Sequence, residues 1–391
     1  MHSVRYSADT LKAVCQEIFE KHGFSGQEAA AITDVLHLAD LYGIRSHGTQ
    51  RMIRYHTAMQ KGCIDVHAVP ETVFETPVSA VIDGHAGMGQ LIALHAARLA
   101  IEKAKHVGIA FVSVRNSNHF GIAGYYTKMA SDEGLIGLCT TNSESIMVHT
   151  GSKQAILGSN PLAFAMPADP YPFWFDAATT VVPKGRLEIC NKADQPLHEG
   201  WAADETGADC PDAWRVLQCI DGHLGAGGIR PVGGGEECTG SHKGYGFSML
   251  CEILCAVTSA GATSNHHVRK PGVGAGTCHA FIVIDPAIFG DPADLRARLS
   301  VLMQELRDAK RADPDVPIYT HGEKEHLRMK EILQDGIEVD VSTLAELTSI
   351  CGQLGIDAEK HLGRVDTAAA KTSIYDYAYQ NGDTTKQEEK K

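Results

Sequence analysis

No apolar run in this 391-residue chain approaches the roughly 18 residues needed to span a bilayer. Nor is there a block of Lys and Arg: 35 basic against 48 acidic residues leave a formal charge of −13 with histidine neutral. Nucleic-acid affinity needs clustered cations to release counterions, so neither a membrane nor a nucleic acid is expected as partner. The opening MHSVRYSADT lacks the cationic flank and apolar stretch of a signal peptide, which makes the cytoplasm the expected compartment. The eleven cysteines are odd in number and contain no Cys-x-x-Cys pair, so they are expected as reduced packing residues. Cys251 and Cys255 lie one helical turn apart, but no histidine stands at helical spacing beside them, and no metal is expected. A dinucleotide fingerprint is also missing in proper context. The glycines at 225, 227, 228 and 233–235 follow no strand, and DGHAGMGQ has its glycines in the wrong order. P-loop, nucleophile-elbow and His-Glu-x-x-His signatures are absent, which removes the best-marked NTPases, hydrolases and zinc proteases.

What is present is globular. A composition 43% hydrophobic and 21% charged, at this length, allows two or three domains. Leu11, Val14, Cys15, Ile18 and Phe19 recur at helical spacing, and Ser25 with Glu28 forms a capping box that opens a second helix through Ala39. A third helix from Thr49 to about Gln60 places Arg51 and Tyr55 on one face, near the Ser46-His47 turn. Residues 89–107 read as an amphipathic helix and 108–115 as a buried strand ending in Asn116-Ser117-Asn118-His119-Phe120-Gly121. A helix over 122–131 and a strand over 135–141 follow, the latter ending in Asn142-Ser143. Further strands are expected at 162–167, 173–177 and 278–285. Helices are expected from His242 to about Val257 and near 291–311, 323–335 and 342–354. Residues 190–241, poor in apolar periodicity, read as an irregular excursion. Helix alternating with buried strand indicates an α/β fold, and polar turns at strand ends are where such sheets carry ligands.

Several of these turns hold candidate chemistry. His119 titrates near neutrality and sits at a strand end, as a general acid/base requires; a turn histidine capping carbonyls is the alternative. His47 shares that duality. Arg51 has the planar fork that clamps a carboxylate, against an ordinary solvated helical arginine. Lys243, in a Gly-flanked helix start, suits an anion such as pyrophosphate. Asp176 could bond a ribose hydroxyl or merely cap a turn. His266, His267, His149, His223 and His326 read as surface residues.

Taken in order, Gly43-Ile44-Arg45-Ser46-His47-Gly48 with Arg51, the Asn116–Gly121 turn, Gly158-Ser159-Asn160-Pro161, Asp176-Ala177-Ala178-Thr179-Thr180 and His242-Lys243-Gly244-Tyr245-Gly246 resemble the malate/L-lactate dehydrogenase 2 family over about residues 5–360. That family includes ureidoglycolate and sulfolactate dehydrogenases, diketogulonate reductase and piperideine-carboxylate reductase. The resemblance implies an NAD-dependent oxidoreductase, NADP being the alternative, that interconverts a small 2-hydroxy acid and its 2-oxo acid. It implies a non-Rossmann cofactor domain with a central mixed sheet at 76–289, a mainly helical second domain from 1–75 and 290–365, and a charged flexible tail at 366–391. It implies a homodimer. By the same resemblance His119 is the proton acceptor with His47 beside it, and Ser46, Arg51 and Tyr55 hold the substrate. Asn142, Ser143, Asp176, Ala177, Ala178, Thr179, Lys243, His321, Gly322 and Glu323 match cofactor-contacting stretches. This chain departs from the family where it reads Arg45 for Asp, Lys184-Gly185-Arg186 for Gly-Lys and His321-Gly322-Glu323 for Pro-Gly-Glu, and in its longer excursion at 205–240. Arg45 would add positive charge for a dicarboxylate, making malate the first expected substrate, with lactate, ureidoglycolate, sulfolactate or an imino acid as alternatives. A zinc-dependent hydrolase or lyase using His47, His119 and a carboxylate is the reading from a different class.

Overall fold

The computed structural model describes residues 3–268, 270–368 and 370. Its organising element is a seven-stranded sheet. In spatial order the strands are Glu71–Thr76, Ser79–Asp83, Ile109–Ser117, Thr277–Ile284, Ile136–Thr141, Leu162–Met166 and Phe173–Ala177. Ser79–Asp83 and Ile109–Ser117 pair parallel, and every other neighbour is antiparallel, so the sheet is mixed. The parallel pair is joined by the helix Gly89–Val107, whose buried Ala93, Ala96, Ala97, Ala100 and Ala104 let its backbone lie close to the sheet.

Register decides where the polar turns fall. Thr277 lies opposite Ser117, His279 opposite Thr141, Thr140 opposite Leu162, and Leu162 opposite Ala177. The turns after 117 and 141, the segment before 162 and the stretch after 177 therefore all leave the sheet along one edge. That edge gathers most of the motifs that are scattered along the sequence.

The first two helices, Ala8–Lys21 and Gly26–Leu41, form as expected, with the Ser25–Glu28 capping box in place. Leu11, Phe19, Leu36 and Tyr55 share one apolar core with Leu344, Leu347 and Ile350 of the helix Val341–Leu354. The strand Ser3–Tyr6 pairs antiparallel with Ile337–Asp340, tying the two ends of the described chain together. Among the described residues no helix is long and apolar enough to cross a membrane. All eleven cysteines are unpaired, and only Cys238 is exposed.

Two expectations are corrected. Residues 190–241 are not an irregular excursion: the helices Lys184–Lys192 and Ala213–Ile220 pack around Leu187, Val216 and Leu217. Short strands at Ala202–Ala203 and Gly228–Ile229 join Met147–Val148 and Ala155–Leu157 in a second sheet. The strands are two or three residues long, too short for a visible alternation. Secondly, Arg51 does not share a regular helix with Tyr55. Arg45–His47 and Thr49–Arg51 are 3-10 turns, and the α-helix begins at Met52. Most of the tail expected at 366–391 lies outside the described residues.

Candidate active site

A cleft at the gathering edge is lined by His47, Arg54, Tyr55, Asn118, His119, Asn142, Ser143, Glu144, Ser159, Lys184, Asp221 and His267, with His119, Arg54 and Glu144 reaching both of its halves. The backbone around His119 is over-determined. Asn118 donates from Nδ2 to the carbonyls of Ala86 (2.8 Å) and Gly87 (2.9 Å). The helix behind it starts at a glycine for a reason: a Cβ on Gly89 would lie 2.3 Å from the carbonyl oxygens of both Asn118 and His119.

His279, in the central strand, was not singled out by sequence and is fully buried beneath the site. Its Nε2 meets Ser117 Oγ and its Nδ1 meets Thr141 Oγ1, both at 2.8 Å, and its ring stacks on Phe120 at 4.3 Å. The Thr141 hydroxyl also lies 2.8 Å from the Cys278 carbonyl, to which it donates. One imidazole thus fastens the ends of the two strands that carry His119 and Asn142.

The working groups meet above it. Tyr55 Oη is 2.5 Å from His119 Nδ1, and the His47 ring stacks on His119 with centroids 5.6 Å apart. His47 Nδ1 is 2.9 Å from Ser46 Oγ. Burial, helped by the nearby guanidiniums of Arg51 and Arg54, pushes His47 down to about 3. Burial also holds His119 well below its ordinary value, with Arg54, His47, Arg51 and His279 adding to it. Both rings are therefore neutral near pH 7, the form in which an imidazole accepts a proton.

Arg51 is placed elsewhere than expected. It is 3% exposed, donates from Nε to the Ser46 carbonyl (2.5 Å), and pairs through Nη1 with the buried Glu188 at 2.8 Å. Burial pushes Glu188 up, but Arg51, Lys184 and Lys192 outweigh it and hold the carboxyl below its usual range. The guanidinium facing the cleft belongs to Arg54, which the sequence reading passed over. Arg45 turns away as well, to pair with Glu338 at 2.7 Å, so it adds no charge to the cleft.

The other expected cofactor residues are dispersed. Asn142 and Ser143 line the cleft. Thr179 is one bond away, donating from its amide (2.8 Å) and hydroxyl (3.0 Å) to the Ser159 carbonyl. Asp176, just before Ala177 and Ala178, accepts from the Gly124 amide at 2.7 Å and so caps a helix; burial pushes it up to about 6. His321 packs its ring against Phe173 and Phe175. Gly322 caps the helix Glu323–Asp335, and Glu323 accepts from Thr320. Lys243 is exposed in the first turn of the helix Ser241–Glu252. None of Asp176, Ala177, Ala178, Lys243, His321, Gly322 or Glu323 lines the cleft around His119. His267, expected at the surface, does line it. Arg54 could have been found as the residue adjacent to Tyr55. Glu144, Lys184 and Asp221, joined by ion pairs of 3.4 and 2.9 Å, carry no sequence signal linking them.

These buried groups give stability a pH dependence with a definite sign. His47, His119 and His279 (also pushed down to about 3, by burial) stay neutral when folded, whereas the unfolded chain takes up a proton on each near 6.5. Their contribution is lost as pH falls below that value. Asp40 and Asp176, raised by burial from 3.8 to about 6, act oppositely: theirs is complete below 3.8 and lost as pH rises through 6. His22, His37 and His56 are lowered by burial as well, so near pH 5 the histidines outnumber the two raised acids and unfolding takes up protons. Urea unfolding is expected to show stability decreasing from pH 6.5 to 5; an increase over that range would contradict these assignments.

Among the described residues no group of three or more His, Cys, Asp and Glu side chains is arranged to hold a metal ion, so the hydrolase or lyase reading finds no ligand set. Comparison with known proteins decides the class. The sequence profile of the malate/L-lactate dehydrogenase family matches residues 6–348. The chain belongs to this family. Similar members of this dehydrogenase family include a malate dehydrogenase of Pyrococcus abyssi, 37% identical over 353 residues, covering 90% of this chain and 96% of that protein. An L-sulfolactate dehydrogenase of Methanocaldococcus jannaschii is 34% identical over 352 residues, covering 90% and 97% respectively. The crystal structure of malate dehydrogenase from Entamoeba histolytica superposes with a TM-score of 0.87 at 33% identity, covering 91% of this chain and 99% of that one. As a dehydrogenase of this family the chain is an oxidoreductase, and the family implies a nicotinamide cofactor.

Proposed function

We propose that this dehydrogenase interconverts a small 2-hydroxy acid and its 2-oxo acid, with His119 exchanging the hydroxyl proton, His47 beside it and Arg54 holding the carboxylate. The observation that carries this reading is a neutral, buried imidazole placed in one cleft between a guanidinium and a wall of neutral hydroxyl and amide groups. That wall, Asn142, Ser143 and Ser159, is polar and uncharged, as suits a carboxamide ring. It fits the nicotinamide end of NAD, or of NADP as the alternative. Thr179 and Asp176 to Ala178 continue from it along the sheet edge toward the rest of the nucleotide; the His321-Gly322-Glu323 turn, which packs on Phe173 and Phe175 farther down the same strand, is a candidate for its outer part, and Lys243 for its phosphates. When bound, the cofactor accepts a hydride from C2 of the acid.

The protein's part is binding, orientation and proton transfer. In the tautomer that accepts a proton at Nε2, His119 donates from Nδ1–H to Tyr55 Oη, which fixes the ring plane. The substrate hydroxyl gives its proton to Nε2, and the same imidazolium returns it in the reverse direction. Arg54, beside Tyr55 on the same helix, fixes the carboxylate and so turns the C2 hydrogen toward the nucleotide wall. Ser46 and His47 complete the floor by their own hydrogen bond, and Arg51 supports them from below. Malate is the first substrate of this reading because of the similarity to named malate dehydrogenases. It no longer draws on Arg45. Sulfolactate is second, on the methanogen relative. A cytoplasmic homodimer completes the proposal.

The test is absorbance at the reduced-nicotinamide band. Purified protein is mixed with NAD or NADP and a panel of 2-hydroxy acids, and in reverse with the reduced nucleotides and 2-oxo acids. Turnover with malate is expected. No absorbance change with any acid and either nucleotide would overturn the proposal.

A further inference from the structure

We propose that Glu252, which no step above uses, is a positioning residue that sets the spacing of the two loops walling the nucleotide side of the cleft; this rests on the nicotinamide reading. The strands Ile136–Thr141 and Leu162–Met166 stay paired up to Thr140 opposite Leu162. Between that point and the Met147–Leu157 pairing the Asn142–Ser143 and Gly158–Pro161 loops leave the ladder and are joined by the Ser143 amide donating to Asn160 Oδ1 and the Ser159 amide donating to Ser143 Oγ, both at 3.0 Å. Glu252 bridges them there.

Its carboxylate is 3% exposed, at the end of the helix Ser241–Glu252, where the chain widens into the π-turn Ile253–Val257. Oε2 accepts from Asn142 Nδ2 at 3.2 Å. Oε1 accepts from Asn160 Nδ2 at 3.0 Å, from the Ser264 amide at 3.2 Å and from the Ser264 hydroxyl. Each asparagine is also held by its other end. Asn142 Oδ1 accepts the Cys278 amide (2.8 Å), and Asn160 Oδ1 accepts the amide of Ser143 (3.0 Å). Asn160 has φ +30°, a conformation that persists only where its surroundings fix it. Every group around Glu252 is a donor, so the site calls for a species with acceptors only, which is the carboxylate.

Glutamine at 252 keeps the shape and reverses one of these roles. Its NH2 must face Asn142 Nδ2, or Asn160 Nδ2 and the Ser264 amide, donor against donor. Asn142 could invert to relieve this, but then its NH2 would face the Cys278 amide. The frustration is local to the two loops, so it should register at the nucleotide and not at the acid.

The experiment compares wild type, Glu252→Gln and Ser264→Ala by calorimetric titration with NAD and NADP, steady-state kinetics, and hydrogen–deuterium exchange. For Glu252→Gln, nucleotide affinity is expected to fall about ten- to a hundredfold. The acid KM and the kcat at saturating nucleotide should stay within about threefold. Exchange should speed up over 142–145 and 158–161 while 109–117 and 277–284 keep wild-type protection. Should that variant not fold, Ser264→Ala, which removes the hydroxyl donor to Glu252 and with it the acceptor of the Gly158 amide, is expected to lose about two- to fivefold in nucleotide affinity, with exchange speeding up over 142–145 as well as at Gly158. Nucleotide affinity within twofold of wild type in the folded variants would overturn the proposal. So would faster exchange across the whole sheet, which is the signature of a merely structural role. Wild type that binds neither nucleotide would overturn the nicotinamide reading itself and take this proposal with it.

Discussion

Alanine at His119 will lower kcat about a hundred- to ten-thousandfold while leaving nucleotide affinity within about threefold of wild type. The asymmetry follows from position. His119 reaches both halves of the cleft, but its hydrogen bond goes to Tyr55 on the acid side, and the loops proposed to hold the nucleotide are fixed by Asn118, His279 and Glu252, not by the His119 ring. Deleting the imidazole removes the proton acceptor and little of the scaffold. His47→Ala is the control. Its ring is stacked on His119 and bonded to Ser46, so its loss should disturb His119 indirectly and cost less turnover. A larger kcat loss at His47 than at His119 would exchange their roles. Equal losses in nucleotide affinity and turnover at His119 would remove it from the chemistry.

Methionine at Arg51 is expected to act on the fold first. It removes the ion-pair partner of Glu188, itself 3% exposed, leaving the carboxylate with Gln50 at 3.2 Å and the more distant lysines, and removing one partner of a buried ion pair costs about 3–5 kcal/mol. The space around it is tight, since a Cβ on Gly185 would lie 2.1 Å from Arg51 Nη2, so solvent has no easy entry to rescue the charge. Arg54→Ala should act on the substrate first, with an acid KM raised about tenfold or more. Denaturation and steady-state kinetics on the same preparations separate the two arginines. If Arg51→Met raised the acid KM at unaltered stability, the clamp would return to Arg51.

Much of this arrangement could be read in the residues, and the remainder fails for physical reasons. Period-3.6 and buried-strand patterns located the N-terminal helices, 89–107 and the strands carrying His119 and Asn142, because each buries a continuous face. The 184–220 region escaped because its strands are too short to alternate and its helices too short to show a long stripe. His119, Asn142 and Ser143 stand out in turns at strand ends and Ser46, His47 and Tyr55 in a turn and helix after the N-terminal hairpin, and the structure brings the two groups together. Pairing is what a linear pattern does not encode. Arg51 and Arg54 are chemically equivalent in sequence, and which of them meets Glu188 depends on a helix more than 130 residues away. His279 and Glu252 stayed hidden for the same reason, being single polar residues inside apolar stretches whose partners lie on other strands.

The one-sided exit of the polar turns has an engineering consequence. The sheet-borne groups assigned to proton transfer and the nicotinamide, His119, Asn142, Ser143 and Ser159, hang from one rim, and the 167–172 connection between Met166 and Phe173 lies at the other, the full length of the hydrogen-bonded ladder away. A reporter or affinity sequence spliced there leaves the catalytic rim untouched, and loop exchange on the catalytic rim can retarget the enzyme without re-registering a strand.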